Sequence, residues 1–357
     1  MADAAAEPVV IARVEGGIGH ITLNRPKALN ALNLDMVRLC DAALTEFEAD
    51  PKIAAVLIDG AGGRAFCAGG DIRLIRDTGR DNPEFAATFW AEEYRLNNRI
   101  AHYPKPYIAL MDGIVMGGGI GMSGHGSVRI VTERSMLAMP EVGIGFMPDV
   151  GGTFLLGRAG PVGKMLAVTG DRFGAADAIR IGMADHMIPS AELPAFVEAL
   201  VGHGYGADAA ADVAAIVARF AATPEPGILG PLEQLAAAAF GKATPLEALA
   251  VLEADGAEGQ RIAGLMRAKS PTSVVVTFAE MEHARSMSRE ACFDMEYRVS
   301  LRSLMKPDFY EGVRAVVVDK DQNPKWDPPT LEQVDPAIVD WFFASLGDQE
   351  LGLAPGA

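Results

Sequence analysis

Ala65-Phe66-Cys67-Ala68-Gly69-Gly70-Asp71 decides how this chain is read, together with its shorter counterpart Met116-Gly117-Gly118-Gly119. Each follows an apolar run, Ile53 to Ile58 in the first case and Tyr107 to Asp112 in the second, whose composition predicts a buried strand. Each then runs into a helix: a short one over Asp71 to Asp77, and another opened by the three glycines. Glycines at such a junction let backbone N–H groups approach a ligand closely, and a helix N-terminus adds a positive dipole. Two N–H groups converging on one oxygen form an oxyanion hole. The same residues also suit a plain strand-to-helix turn with no ligand, and composition alone favours that turn, because a lone glycine cluster is a weak signal.

Outward from these segments the pattern repeats. Val9 to Glu15 and Ile18 to Leu23 predict two strands joined at Gly16-Gly17. Asn33 to Glu48 predicts a helix capped by Asn33 or Asp35, with Met36, Leu39, Cys40, Ala43 and Leu44 as its apolar stripe. Pro83 to Ala101 predicts a longer helix with Asn82 as cap. Val128 to Thr132, Met136 to Met139 and Met183 to Ile188 read as strands, and Pro161 to Thr169 and Ala175 to Ile181 as helices. Strand pairs followed by helices predict an α/β layer architecture for residues 1–190. Residues 191–357 have a different texture. Ala, Leu and Glu dominate up to about residue 305, with breaks at Pro224-Glu225-Pro226, Gly241 and Pro271, which predicts a mainly α-helical region. Val313 to Val318 is an isolated apolar run, and a last helix is expected over Pro336 to Leu346.

Composition narrows the partners. The 357 residues carry a formal net charge of −16, so a polyanion such as DNA is repelled over most of the surface. A small anionic ligand then needs a few specific basic side chains or backbone N–H groups. No apolar run approaches the roughly 18 to 20 residues that span a bilayer. Met1 to Val10 has two acids and no base, unlike a secretory or mitochondrial leader. Cys40, Cys67 and Cys292 are scattered thiols without CxxC spacing, which points to a reducing, cytoplasmic setting.

A third segment carries acids: Met139-Pro140-Glu141-Val142-Gly143-Ile144-Gly145-Phe146-Met147-Pro148-Asp149-Val150-Gly151-Gly152. Carboxylates in such apolar surroundings are either solvated on a loop or buried, and burial would tune them for acid–base work.

Taken together, the three segments resemble the enoyl-CoA hydratase/isomerase (crotonase) superfamily. Leu23-Asn24-Arg25-Pro26-Lys27-Ala28-Leu29-Asn30-Ala31-Leu32 is similar to its first acyl-CoA-binding loop, with Lys27, Ala28 and Leu29 as the implied contacts. The segment from Ala65 to Asp71 is similar to its adenine-binding and first oxyanion segment, implying contacts from Gly69, Gly70, Asp71 and the following Ile72. Gly117 to Gly119 is similar to the second oxyanion segment. The resemblance implies a spiral of ββα turns, with Ala68 and Gly118 N–H groups on the thioester oxygen and Gly117 beside them.

The departures matter as much. Hydratases of this superfamily generally carry two glutamates. Glu141 matches one, but the other position, three residues after the middle glycine, is Gly121, and Asp149 stands where hydratases usually have glycine. That pattern, with Glu93 in Glu92-Glu93-Tyr94-Arg95-Leu96-Asn97-Asn98, with Lys269-Ser270-Pro271-Thr272-Ser273, and with Met295-Glu296-Tyr297-Arg298-Val299-Ser300 and the run from Asp308 to Trp326, resembles the 3-hydroxyisobutyryl-CoA hydrolases. It implies thioester hydrolysis, with Glu141 as nucleophile or general base, Asp149 on the substrate hydroxyl, Glu93 supporting it, and Gly121 leaving room where a second acid would sit. It also implies a setting in valine breakdown, no cofactor beyond the coenzyme A of the substrate, no nucleic-acid or membrane partner, and leaves self-association open. The competing readings are a hydratase or isomerase on the same fold, and a non-catalytic acyl-CoA-binding relative.

The remaining candidates stay two-sided. Arg73, Lys320 and Trp326 either meet the phosphates and adenine or are a solvated helix residue, a surface lysine and a packed aromatic. His125 reads as structural and Cys67 as a small packed residue. The histidines show no HxH or HExxH spacing, so no metal is implied.

Overall fold

The computed structural model describes residues 7–354; residues 1–6, part of the acidic N-terminal stretch, and 355–357 lie outside the description. The first turn of the chain is a hairpin, β1 (Val10–Glu15) and β2 (Ile18–Leu23). After it comes α1 (Leu34–Ala49), whose first turn is capped by the Asn33 side chain accepting from the Met36 N–H. Then strands come in pairs that part company. β3 (Ala55–Gly60) is followed by β4 (Ala65–Cys67), α2 (Ile72–Gly79) and α3 (Pro83–Ala101). β5 (Tyr107–Met111) is followed by β6 (Ile114–Met116) and α4 (Gly118–Ser123). β7 (Val128–Val131) is followed by β8 (Met136–Ala138), α5 (Gly152–Arg158), α6 (Gly160–Thr169) and α7 (Ala175–Arg180), and β9 (His186–Met187) closes the series. The first strand of each pair joins a six-stranded sheet of order β1-β2-β3-β5-β7-β9, and the second joins a three-stranded sheet of order β4-β6-β8. Only β1 and β2 pair antiparallel; the other neighbours are parallel, as crossover connections require.

Alternation along the large sheet places its two faces in different cores. Ile18, Leu57, Ile108 and Leu110 face α8 (Leu193–Val201) and α9 (Ala209–Phe220), burying Phe196, Leu200, Val213 and Ile216. Ile21, Val56, Ile58, Ala109 and Met111 face the opposite way into the main core. That core also takes side chains from α10 (Glu233–Phe240), α11 (Pro245–Ala254), α12 (Ala257–Arg267), α13 (Pro271–Ala284), α14 (Arg289–Ser303) and α15 (Pro307–Val313); α16 (Ala337–Phe343) packs on α13 and α14. Phe240, Leu249, Phe293 and Phe309 are thus packed in one cluster with Met36, Phe89 and Met111. Among the described residues no helix is long and apolar enough to cross a membrane.

Four expectations change. Leu39 is 45% exposed, and the buried face of α1 is completed by Val37 and Phe47 instead. The strand expected over Met183 to Ile188 is only His186–Met187. Val313 to Val318 continues α15 as a π-helical turn, Arg314–Val318. β4 and β6 are short strands at the two glycine-rich segments, where a plain turn was the alternative, and α5 occupies a stretch for which no element was expected.

Candidate active site

Three strand ends deliver the site. The residues after β4, β6 and β8 line one cavity of about 720 Å³, roofed by α3, α12 and the segment around Val316 to Pro324. The small sheet is parallel, so its three C-terminal ends converge there. Parallel α/β sheets commonly present their ligand sites at this end. Ala68, Gly69 and Gly70 come from the first end, Met116 to Gly118 from the second, and Glu141 and Asp149 from the third. Ile72, Ile75, Phe89, Trp90 and Phe146 supply apolar wall, with Trp90 stacked on Phe146 at 5.3 Å between ring centroids.

The backbone donors correct one expectation. The Ala68 N–H is already spent on the Leu29 carbonyl at 3.0 Å, so it does not point free into the cavity. The Gly70 N–H and the Gly118 N–H have no acceptor among the described residues. They are close neighbours: a Cβ at Gly118 would stand 3.3 Å from the Gly70 nitrogen. Gly118 is the first residue of α4, where an N–H is left unbonded by the helix itself. Gly117, with φ +48°, makes the turn that aims it. Leu29 thus acts through its carbonyl, and its own φ of +52° bends the chain to bring that carbonyl to Ala68.

Three carboxyl groups face these donors. Glu141 begins a 3-10 turn over Glu141–Ile144 just after β8, and its Oε1 would be 2.8 Å from a Cβ on Gly117. Its Oε2 is buried without a partner. Burial, then the neighbouring Asp149, holds this carboxyl well above the usual range. Glu93 projects from α3; its Oε1 is also buried and unpartnered, and burial with Asp149 raises it likewise. Asp149 accepts a 2.7 Å hydrogen bond from the Tyr94 hydroxyl; burial outweighs that bond and pushes its carboxyl up to about 7. Three acids with no cation between them cannot all ionise cheaply, so they share protons.

Gly121 requires the second correction. It does not line the cavity. A Cβ there would meet Asn97 Oδ1 at 2.7 Å and the Val150 Cβ at 2.8 Å, so the space expected beside it is already filled. The second carboxyl reaches the cavity from α3, as Glu93, above Gly118.

Basic residues redistribute too. Lys27 and Ala28 are exposed on the turn Pro26–Ala28, Arg73 is exposed and 3.7 Å from Asp77, and Lys320 is exposed; none lines the cavity. Asp71 caps α2 and pairs with Arg25 at 3.0 Å, a structural task outside the cavity. Trp326 donates from Nε1 to the Ala268 carbonyl at 3.3 Å, beside the cavity rim and not within it. The cations that do line the cavity are Lys269 and Arg172. Lys269 lies within the quoted stretch Lys269 to Ser273, but nothing in its spacing marked it. Its amine is 3.6 Å from where a Gly143 Cβ would be, and burial lowers its pKa. Cys67 is fully buried and its thiol is pushed up to about 12, which fits a packing role. His125 donates from Nε2 to the Val150 carbonyl at 2.8 Å and lies outside the cavity wall.

A cavity sized for part of a coenzyme ester, two free N–H groups at the ends of parallel strands and buried carboxyls opposite them define a site for polarising a carbonyl and delivering an oxygen to it. The chain belongs to the enoyl-CoA hydratase/isomerase family, whose model matches residues 18–343. It is 42% identical over 345 residues to the 3-hydroxyisobutyryl-CoA hydrolase, mitochondrial, of Xenopus tropicalis, covering 95% of this chain and 89% of the relative. It is 39% identical over 357 residues to the Homo sapiens protein of the same name, covering 97% and 91%. Among solved structures it is similar to a carnitinyl-CoA dehydratase from Mycobacterium thermoresistibile, with a TM-score of 0.91 and 42% identity over 97% of this chain and 98% of that one. An enoyl-CoA hydratase from Rhodobacter sphaeroides superposes with a TM-score of 0.88 at 40% identity, covering 96% and 99%.

Proposed function

We propose that this chain hydrolyses the thioester of 3-hydroxyisobutyryl-CoA, or of a closely related short 3-hydroxyacyl-CoA, to the free acid and coenzyme A. The relatives of 39 to 42% identity over most of the chain that are named 3-hydroxyisobutyryl-CoA hydrolase support this reading. The observation that carries the reading is the placement of Glu141 and Asp149 in one cavity with the free N–H groups of Gly70 and Gly118, while position 121 bears no acid.

The thioester oxygen accepts from the Gly70 and Gly118 N–H groups, which stabilise the negative charge of the tetrahedral state; losing one such donor typically costs about 3 to 4 kcal/mol. Glu141 delivers oxygen in one of two ways. Its carboxylate adds to the carbonyl carbon, the C–S bond breaks to give an anhydride and a thiolate, and water then cleaves the anhydride. Alternatively it takes a proton from a water that adds directly. Both require Glu141 ionised, and in both the thiolate leaves with the bond pair and is then protonated. Asp149 binds the acyl hydroxyl, and Glu93 stands beside it. Lys269 and Arg172 attract the phosphates of coenzyme A against the net charge of −16. No step needs a redox or carrier group, so none is proposed beyond the coenzyme of the substrate. A homo-oligomer and a role in valine breakdown remain part of the proposal through the resemblance alone. The cytoplasmic setting gains no support from relatives named as mitochondrial.

The test is thiol release from 3-hydroxyisobutyryl-CoA, compared with isobutyryl-CoA. The reading expects release from both and a clear preference for the hydroxylated ester; absence of thiol release from either overturns it.

A further inference from the structure

Asp149 is followed by two residues in the left-handed region, Val150 at φ +54° and Gly151 at φ +75°. A β-branched residue pays a steric penalty there and stays only if its surroundings hold it. Gly151 is compelled, since a Cβ would strike His125 at 2.5 Å. Most of the restraint comes from α14. Glu296 accepts from the Gly151 N–H at 2.7 Å, from the Thr153 N–H at 3.0 Å and from the Thr153 hydroxyl at 2.6 Å. One turn further, on the same face, the Ser300 hydroxyl is 2.7 Å from the Tyr94 hydroxyl, which donates at 2.7 Å to Asp149 Oδ2. Tyr94 has one proton. Once it is given to Asp149, Ser300 must supply the proton between the two hydroxyls, so the chain runs Ser300 to Tyr94 to Asp149. Glu296, Ser300 and Tyr94 are buried, and none lines the cavity.

We propose that α14 is the positioning element of Asp149: Glu296 fixes the turn that carries it, and Ser300, through Tyr94, fixes the rotamer in which its carboxyl meets the acyl hydroxyl. The proposal rests on the reading that Asp149 binds that hydroxyl. It assigns a task in specificity to a helix more than 130 residues away in sequence, since Ser300 and Asp149 are separated by 151 positions. The titratable groups around Asp149 are Glu93 and Tyr94 from α3, Glu141 from its 3-10 turn, Glu296 from α14 and Glu280 from α13, with His125, beyond the end of α4, on the carbonyl of the next residue, Val150. All but Tyr94 and His125 are acids, and His125 is held neutral, its pKa pushed down to about 4 by burial. The Tyr94 hydroxyl is therefore the one group among them that stabilises the ionised form of Asp149 directly.

The experiment uses the full chain with the variants Tyr94→Phe, Ser300→Ala, Ser300→Thr and Asp149→Asn, assayed for thiol release from 3-hydroxyisobutyryl-CoA and isobutyryl-CoA across pH. Tyr94→Phe and Ser300→Ala should each cut the preference for the hydroxylated ester by about 10-fold, the scale of one hydrogen bond to a charged group. The loss should fall on kcat, while KM for isobutyryl-CoA stays unchanged. In Tyr94→Phe the acid limb of the pH profile should move to higher pH, because the carboxylate has lost a donor. Ser300→Thr keeps a hydroxyl and should recover the preference. If Asp149→Asn abolishes the preference while Tyr94→Phe and Ser300→Ala keep both preference and pH limb, the positioning role is wrong and the reading of Asp149 stands. If Asp149→Asn keeps the preference, that reading fails and the proposal falls with it. A melting curve for each variant separates either result from unfolding.

Discussion

A Cβ on Gly118 would lie 2.7 Å from Oε1 of Glu93. The relationship explains two features at once. Gly118 must be glycine so that a carboxyl from α3 can sit over the start of α4, next to the Gly118 N–H. It also shows where the second acid of this cavity comes from. Gly121, one helical turn along α4, is enclosed by Asn97 and Val150 and has no outlet to the cavity.

Gly121→Ala tests that enclosure. Adding a methyl where two neighbours stand under 3 Å away should cost roughly 1 to 3 kcal/mol, the scale of overpacking in a close-packed core. Asn97→Ala removes one of the two obstacles, and among the described residues its side chain makes only a weak 4.0 Å contact to Met122 Sδ. The double variant should therefore melt higher than Gly121→Ala alone. Additive losses in the melting temperature would show that the two side chains do not compete.

Glu141→Gln keeps size and removes the charge that either mechanism needs. Turnover should fall by at least ~100-fold, the low end of a general-base contribution, with KM little changed. Near-normal turnover in stopped-time thiol assays would remove Glu141 from the chemistry. In the unmodified protein kcat/KM should rise with pH along an acid limb near neutrality. Burial and Asp149 hold Glu141 well above the usual carboxyl range, and burial pushes the Asp149 carboxyl up to about 7. A limb near pH 4, as for an unperturbed carboxyl, would contradict this placement.

Lys269→Ala should raise KM by about 10-fold or more with a smaller effect on kcat, because the amine lines the cavity and is desolvated by burial there. Lys27→Ala and Lys320→Ala, on exposed residues outside the cavity, should change KM far less. The reverse ranking would move the phosphates of the coenzyme to the far side of the rim.

How much of this was legible in the chain depends on what carried the signal. Caps were partly legible: Asn33, offered together with Asp35, and Asn82 each accept from the first turn of the helix they precede, whereas Asp71, read as the first residue of α2, is its cap. The span of α3 was legible: it begins at Pro83 and ends at Ala101 as its apolar spacing requires. Glu141, Asp149 and Glu93 were found through the resemblance, and the structure gathers them in one cavity. The oxyanion donor was misplaced by two residues, because which N–H stays free depends on the Leu29 carbonyl, nearly forty residues upstream of Ala68. Lys269, Tyr94, Glu296 and Ser300 lie in stretches quoted for the resemblance, but nothing in their spacing marked a task for them. Their tasks arise from packing of α14 and of the turn after α12 against the strand ends, contacts between residues more than 100 positions apart.

Glu280 gives a stability test independent of activity. Both of its carboxyl oxygens are buried without a partner, and burial, with Glu296 and Asp149 near, raises it well above the usual range. Its folded-state pKa is above its unfolded value, so the folded protein binds the extra proton, and the stability contributed is full below the unfolded pKa and lost as pH rises through the folded one. Glu280→Met removes that liability. The variant should melt higher than the unmodified protein at pH 8, and the gap should shrink toward pH 5. A gap that widens as pH falls would mean that Glu280 is ionised and partnered in the folded protein.

The central claim is that this chain cleaves a thioester and does not add water across a double bond. The most direct measurement gives the unmodified protein 3-hydroxyisobutyryl-CoA with a thiol reagent, and crotonyl-CoA with absorbance read at the enoyl chromophore. The account predicts rapid release of thiol from the first and little loss of chromophore from the second. Rapid hydration of crotonyl-CoA with no thiol released from 3-hydroxyisobutyryl-CoA would contradict it.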